Sequence, residues 1–207
     1  MRAAPTAPVT GVVWDIGNVI VRWDPRTLYR RIFDDPDEMD AFLQGVCTMA
    51  WNAELDRGLS VSDGVEALSL QHPHHAPRIA AWRDRWPEML SGTIAESIAA
   101  IEALAARGVP QFGLSNMARE SLPVIVAMDP AFRHLDPLII SADVGLIKPD
   151  AAIFELAIAR FGHPAEALLF IDDSAANIEA ARRLGFHTHL FEDPAAIAPL
   201  LRSHGLL

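Results

Sequence analysis

Apolar residues recur along this chain with two different periods, and the points where the period changes divide it into parts. Gly11-Val12-Val13-Trp14 is an apolar run of strand length, closed by Asp15 and then by Gly17 and Asn18, residues that tolerate turn geometry. Val21-Arg22-Trp23-Asp24-Pro25 reads as an extended turn, because Pro25 disfavours a helical residue before it. From Arg26 to about Pro87 no strand is predicted. Apolar positions there fall at helical spacing: Leu28, Ile32 and Phe33; Met39, Phe42, Leu43 and Val46; Val61, Val65 and Leu68; Ile79, Trp82 and Trp86. Ser60 is a predicted cap for the helix at Val61, with Asp63 in its first turn.

From Gly92 the pattern alternates between strands and helices. Thr93 to Arg107 is a predicted helix with Ile94, Ile98, Ile101 and Leu104 on one face, ended by Gly108. Val109 to Leu114 is a strand that stops at Ser115-Asn116, and a helix follows around Glu120 to Met128. Leu138 to Ile140 is a third strand. Asp143 to Gly145 forms a loop presenting Lys148, and Pro149 suits the first position of the next helix. Ala167 to Ile171 is a fourth strand running into Asp172-Asp173. Ser174 caps a helix to Leu184, ended by Gly185; His187 to Phe191 is a fifth strand, and Pro194 to Ser203 a last helix. Strands alternating with helices predict a parallel sheet with right-handed crossovers. The expected fold class is therefore α/β: a doubly wound, five-stranded core over residues 9–24 and 88–207, carrying an inserted α-helical cap over 25–87.

Composition narrows the function classes. With 207 residues, 51% of them hydrophobic, the chain has material for one well-packed domain with an insertion. A net charge of −10 weighs against nucleic acid as a partner, since phosphate backbones select basic surfaces. No apolar run approaches a membrane span. The opening Met1 to Pro8 has no apolar stretch of the secretory kind and reads as a loose tail. Cys47 is the only cysteine, which excludes an internal disulfide and a cysteine-based zinc site. A cytoplasmic setting is expected; nothing in the sequence indicates an oligomeric state. His72, His74 and His75 lie between Pro73 and Pro77 in a helix connection and are expected to be a solvated loop rather than metal ligands.

The chemistry lies in what ends each strand. Asp15 follows the first, Ser115-Asn116 ends the second, Lys148 lies past the third and Asp172-Asp173 ends the fourth. In a parallel sheet these ends share one edge, where ligands bind in open α/β folds. Carboxylates converging there repel unless a cation lies between them, and magnesium, which takes one or two carboxylates plus water and substrate phosphate, is the natural cation. Lys148 and the Ser115 hydroxyl then serve an anion. Together these groups suggest phosphoryl transfer to an aspartate nucleophile.

The ordered set Asp15-x-Gly17-Asn18, Ser115-Asn116, Lys148-Pro149 and Asp172-Asp173 with Asn177 resembles the four motifs of the haloacid dehalogenase superfamily, across about residues 11–191. The helical insertion resembles the cap of the subgroup that includes β-phosphoglucomutase and many sugar-phosphate phosphatases. The form of the motifs is most similar to the α-D-glucose-1-phosphate phosphatase type. This resemblance implies a core strand order 5-4-1-2-3. It implies Asp15 as nucleophile and metal ligand, with the Gly17 carbonyl and Asp172 completing the magnesium ligands. Ser115, Asn116 and Lys148 would hold the phosphoryl oxygens, and Asp173 and Asn177 would orient the ligands. Trp51, in the cap where such enzymes choose substrates, is a candidate substrate contact.

The expected activity is a magnesium-dependent phosphatase acting on a small phosphorylated metabolite, a sugar phosphate among the candidates. One departure from the pattern matters. Most phosphatases of this superfamily carry a second Asp two residues after the nucleophile as general acid and base, and here that position is Gly17. Either the leaving group is a good one or a proton carrier sits elsewhere, with Asp24 the first candidate. Dehalogenases of the superfamily also lack that acid and are the competing class, but they typically lack a pair such as Asp172-Asp173. A non-catalytic phosphometabolite-binding protein is the remaining alternative.

Overall fold

The computed structural model describes residues 7–207; the tail expected at Met1 to Pro8 lies mostly outside the described residues. The chain begins with β1 (Gly11–Trp14) and β2 (Val21–Trp23). Then come α1 (Pro25–Tyr29), α2 (Pro36–Gly45), α3 (Met49–Asp56), α4 (Val61–Gln71) and α5 (Ala76–Asp84). After β3 (Leu90–Thr93) follow α6 (Ala95–Ala106), β4 (Gln111–Ser115), α7 (Leu122–Val126), β5 (Leu138–Ile140), α8 (Ser141–Val144) and α9 (Ala151–Phe161). The chain continues through β6 (Leu168–Asp172), α10 (Ala175–Leu184), β7 (His187–Leu190) and α11 (Ile197–Ser203).

Five strands form one parallel sheet in the order β5-β4-β1-β6-β7, the α/β arrangement expected from the alternation of elements. Side chains part by the two-residue period of a strand. Val12, Trp14, Leu169 and Ile171 join the hydrophobic cluster on one face, while Val13, Leu168 and Phe170 join the cluster on the other. The buried Trp14 indole donates to Gln111 Oε1 at 3.1 Å, and Gln111 Nε2 donates to the Ile101 carbonyl at 2.9 Å, so the polar atoms inside this core are paired. Because β1 lies between β4 and β6, Asp15 leaves the sheet flanked by Ser115 and Asp172. That is the topological switch point.

The helices between β2 and β3 pack on a cluster of their own, built from Leu28, Tyr29, Phe42, Val65, Ile79 and Trp82 among others. Asp35, Thr48 and Ser60 cap α2, α3 and α4 by accepting backbone N–H bonds. The insertion leaves the core through a feature the sequence reading lacked. Val21–Trp23 is a strand, and it pairs antiparallel with Leu90–Thr93 as a two-stranded ribbon at the base of the cap. The ribbon holds Thr93 in a ladder with Val21, so α6 starts only at Ala95. Gly108 (φ +69°) and Gly185 (φ +101°) end α6 and α10 as expected from sequence.

Other boundaries moved. Pro149 does not open α9: Asp150 is its N-cap and the helix begins at Ala151. Residues Asp143 and Val144 belong to α8, and Gly145 (φ +68°) ends it. His75 packs its ring on Phe42, with centroids 5.4 Å apart, so only part of the histidine connection faces solvent. Among the described residues no helix is long and apolar enough to cross a membrane.

Candidate active site

Asp15 is aimed by the turn that follows it. Its N–H continues the sheet by donating to the Ile171 carbonyl (2.9 Å), and the next N–H, of Ile16, donates to Asp15 Oδ1 (2.6 Å). The residue that takes the left-handed backbone is Asn18, at φ +54°, a conformation that Asn adopts more readily than most residues. Asn18 donates its N–H to the Val21 carbonyl (2.7 Å), and its side-chain oxygen accepts from the Trp23 N–H (3.1 Å). Gly17 has no such backbone role. A Cβ built there meets no atom within 4 Å, so the position has room for the carboxylate that it lacks.

Lys148 joins the two buried carboxylates. Its Nζ lies 2.9 Å from Asp15 Oδ1 and 2.7 Å from Asp172 Oδ2, with the lysine itself 3% exposed. Burial alone would lower the lysine pKa, but Asp15 and Asp172 overcome it and hold the ammonium charged. Asn116 fixes its backbone. Asn116 Oδ1 accepts the Lys148 N–H (2.8 Å), and Asn116 Nδ2 donates to the Lys148 carbonyl (2.9 Å). Asn116, expected from sequence to hold phosphoryl oxygens, lines the cavity, and its side-chain amide also clamps the lysine. Asp172 is held from the far side. Its Oδ1 accepts the Ser174 N–H (2.8 Å), and Asn177 Nδ2 lies 2.9 and 3.0 Å from its two oxygens. Asn177 thus orients Asp172, and the Asn18 side chain lies beside Asp173 and pulls its pKa down against the burial that raises it.

The donor set suits a hard divalent cation. Asp15, Asp172 and Asp173 each offer a carboxylate oxygen within 4.8 Å of the others, against the single ammonium of Lys148. Burial, with the neighbouring carboxylates adding to it, pushes Asp15 above the ordinary carboxylate range although Lys148 pulls the other way; burial and Asp172 push Asp173 up too. Such a surplus of negative charge, all on oxygen, is what magnesium relieves.

Asp15, Asp173 and Lys148 lie on the floor of a cavity of about 420 Å³ between core and cap, with Asp172 buried beneath it. Ser115, Gly17 and Lys148 line the floor, while Trp23, Met49, Trp82 and Trp86 supply an apolar wall opposite. Trp51 is not among the lining residues; its ring packs edge-on against Trp82, 5.2 Å between centroids. Asp24 is absent from the lining as well. It accepts the Arg26 N–H (2.9 Å) as the N-cap of α1. The carboxylate that does enter the cavity from the cap is Asp56, at the end of α3. The cap is tied down beside it: Glu120 accepts the Val61 N–H (3.1 Å), and Arg57 pairs with Asp150 across 3.8 Å.

Comparison with known proteins decides the family. Residues 9–185 match the haloacid dehalogenase-like hydrolases. The chain belongs to that family. It is 24% identical to drimenol cyclase drtB of Aspergillus calidoustus over 88% of this chain but 34% of that protein. It is 34% identical to an (S)-2-haloacid dehalogenase of Pseudomonas putida over 44% of this chain and 40% of that one. The chain thus spans well under half the length of these two relatives. The GMP/IMP nucleotidase YrfG of Escherichia coli (strain K12) is similar over more of both chains, 27% identical over 84% of this chain and 82% of the other. Among solved structures, a haloacid dehalogenase-like hydrolase from Porphyromonas gingivalis superposes with a TM-score of 0.73 at 27% identity, covering 95% of this chain and 99% of that one. A family enzyme from Bacteroides thetaiotaomicron, solved as a magnesium complex, shares the fold at 16% identity (TM-score 0.71, 90% and 94% coverage).

Proposed function

We propose that this hydrolase is a magnesium-dependent phosphatase of small phosphorylated metabolites, working in the cytoplasm through an aspartyl-phosphate on Asp15. The observation that carries this assignment is the set of three carboxylates, Asp15, Asp172 and Asp173, around one lysine. A dehalogenation site needs no cation and gains nothing from the third acid. Similarity to a nucleotidase along most of both chains supports the same choice.

Asp15 Oδ1 is engaged by Lys148 and the Ile16 N–H, which leaves the other oxygen for attack on phosphorus. As that O–P bond forms, the bond to the leaving oxygen breaks and a proton goes to the leaving group. Water then attacks phosphorus, releasing phosphate and restoring the Asp15 carboxylate. Lys148 and Ser115 line the floor where the phosphoryl oxygens would lie. Asp15, Asp172 and the Gly17 carbonyl are the groups that would hold magnesium, which when bound supplies positive charge to the transferring phosphoryl group. Trp23, Trp82 and Trp86 suit a leaving group with a flat or ring-shaped apolar face, such as a sugar ring stacked on indole.

The test is phosphate release from glucose 1-phosphate, glucose 6-phosphate and p-nitrophenyl phosphate, with magnesium and with chelator. Release that needs magnesium supports the assignment. One observation favours dehalogenase chemistry instead: 44% of this chain is 34% identical to an (S)-2-haloacid dehalogenase. Chloride release from a 2-haloacid, unaffected by chelator and without phosphate release, would select it.

A further inference from the structure

We propose that Asp56, on the cap, is the proton carrier of this site, serving as general acid to the leaving group and then as general base to water. This rests on the phosphatase assignment above and supplies what Gly17 cannot. Asp56 is the cap's one ionisable side chain among the residues lining the cavity, whose floor carries Asp15 and Lys148. A leaving group bound between floor and cap has its bridging oxygen directed away from Asp15, toward the cap, because the nucleophile and the leaving oxygen lie on opposite sides of phosphorus. Of the core carboxylates, Asp15 is the nucleophile, Asp172 is bonded to Lys148, Ser174 and Asn177, and Asp173, which also lines the cavity, belongs to the acidic cluster beside Asp15 rather than to the cap.

Its surroundings keep it in place and in the right protonation range. Asn52 Nδ2 donates to Asp56 Oδ2 (3.0 Å), and the Ala118 N–H, from the loop that follows Ser115-Asn116, faces the same carboxyl across the cap–core boundary. The charged groups on the neighbouring elements are turned to one another: Arg57 to Glu54 and Asp150, Arg119 to Asp143, while Glu120 accepts a backbone N–H. Among the described residues this leaves Lys148 as the charge whose field reaches Asp56. Burial pushes the carboxyl up to about 7, against the Ala118 N–H and Lys148, which both lower it. A group poised there holds a proton for the leaving oxygen and accepts one from water near neutral pH.

The steps balance. In the first, the P–O bond to the leaving group breaks as the Asp15–phosphorus bond forms, and the Asp56 proton passes to the leaving oxygen, giving an alcohol and the Asp56 carboxylate. In the second, water adds to phosphorus, its proton returns to Asp56, and the Asp15–phosphorus bond breaks to give phosphate.

The test compares Asp56→Asn with the wild type on phenyl phosphate, a poor leaving group, and p-nitrophenyl phosphate, a good one. Asn keeps an oxygen for the Ala118 N–H, and an unfolding curve checks that the variant folds. The expected result, read as the single-turnover rate of phenol release, is a loss of about 10²-fold or more on phenyl phosphate and a much smaller loss on p-nitrophenyl phosphate, while hydrolysis of the phosphoenzyme, common to both esters, slows in the variant. The wild-type rate on phenyl phosphate should also fall above about pH 7, as Asp56 loses its proton, and that limb should be missing in the variant. Adding Gly17→Asp to the variant should restore much of the lost rate, since the position is open. Equal losses in the phenol-releasing step on both substrates, or no loss in that step on phenyl phosphate, would overturn the assignment of Asp56. Wild-type protein that releases phosphate from neither ester would instead sink phosphatase chemistry itself, and Asp56 with it.

Discussion

Replacing Lys148 with Met keeps most of the side-chain volume and removes the charge between Asp15 and Asp172. Two contacts are lost, of 2.9 and 2.7 Å, at a lysine that is 3% exposed. Breaking a buried ion pair by removing one partner typically costs about 3–5 kcal/mol, because the other charge stays buried and unpaired. Against a total stability of about 5–15 kcal/mol this is a large fraction. The loss depends on pH in a defined sense. Burial holds the folded-state pKa of Asp15 above its unfolded value, so the folded protein binds a proton more readily than the unfolded chain does. Stability therefore falls as pH rises beyond the ordinary carboxylate range of about 4, and it falls until the raised folded pKa is passed. Lys148 works against that rise, so Lys148→Met extends the fall to higher pH. Urea unfolding of both proteins at about pH 5.5 and about pH 8.5 reads the difference directly, with the larger deficit expected at the higher pH. Added magnesium should stabilise the variant at the higher pH, by binding the folded carboxylates and not the unfolded chain. A deficit below about 1 kcal/mol at both pH values, within the range of an exposed ion pair, would refute the claim that Lys148 holds these carboxylates together.

Two further outcomes follow from local geometry. Gly17→Asp in the otherwise unchanged protein should fold normally and raise kcat on phenyl phosphate, since a Cβ there meets nothing within 4 Å; a drop in unfolding midpoint of many degrees would show that the turn needs Gly. Cys47 is buried and bonded by the Tyr29 hydroxyl (3.9 Å), and burial pushes its thiol up to about 12, so a disulfide reagent should modify it only after denaturation. Rapid modification of the native protein would contradict the packing around Tyr29.

Much of the sheet and its catalytic edge was legible because both depend on short-range signals. Val12-Val13-Trp14 closed by Asp15, and Leu169-Phe170-Ile171 closed by Asp172, announce buried strands and what ends them. Gly108 and Gly185 announce helix ends in the same local way. What escaped depends on partners far along the chain. Val21–Trp23 is too short for any period to reveal and becomes a strand only by pairing with Leu90–Thr93. Asp24 and Asp56 look alike in sequence, each an acid beside a helix end. One is taken up by the Arg26 N–H, whereas the other meets the cavity and the Ala118 N–H, which belong to a different part of the fold. The clamp that the Asn116 side chain forms on Lys148 is likewise invisible until the two loops meet. The tryptophans show the same limit. Trp51 and Trp82 are both cap tryptophans, and only the folded packing, with the Trp51 ring set edge-on against Trp82, shows that Trp82 is the one that lines the cavity.

The central claim, that Asp15 carries the phosphoryl group during turnover, is tested most directly by intact-protein mass spectrometry of samples quenched in acid while hydrolysing p-nitrophenyl phosphate with magnesium. The wild type should show a population heavier by one phosphoryl group, mapping to Asp15, and that population should vanish on adding chelator and in Asp15→Asn. Phosphate release with no covalent adduct on Asp15, or release that survives Asp15→Asn, would contradict it.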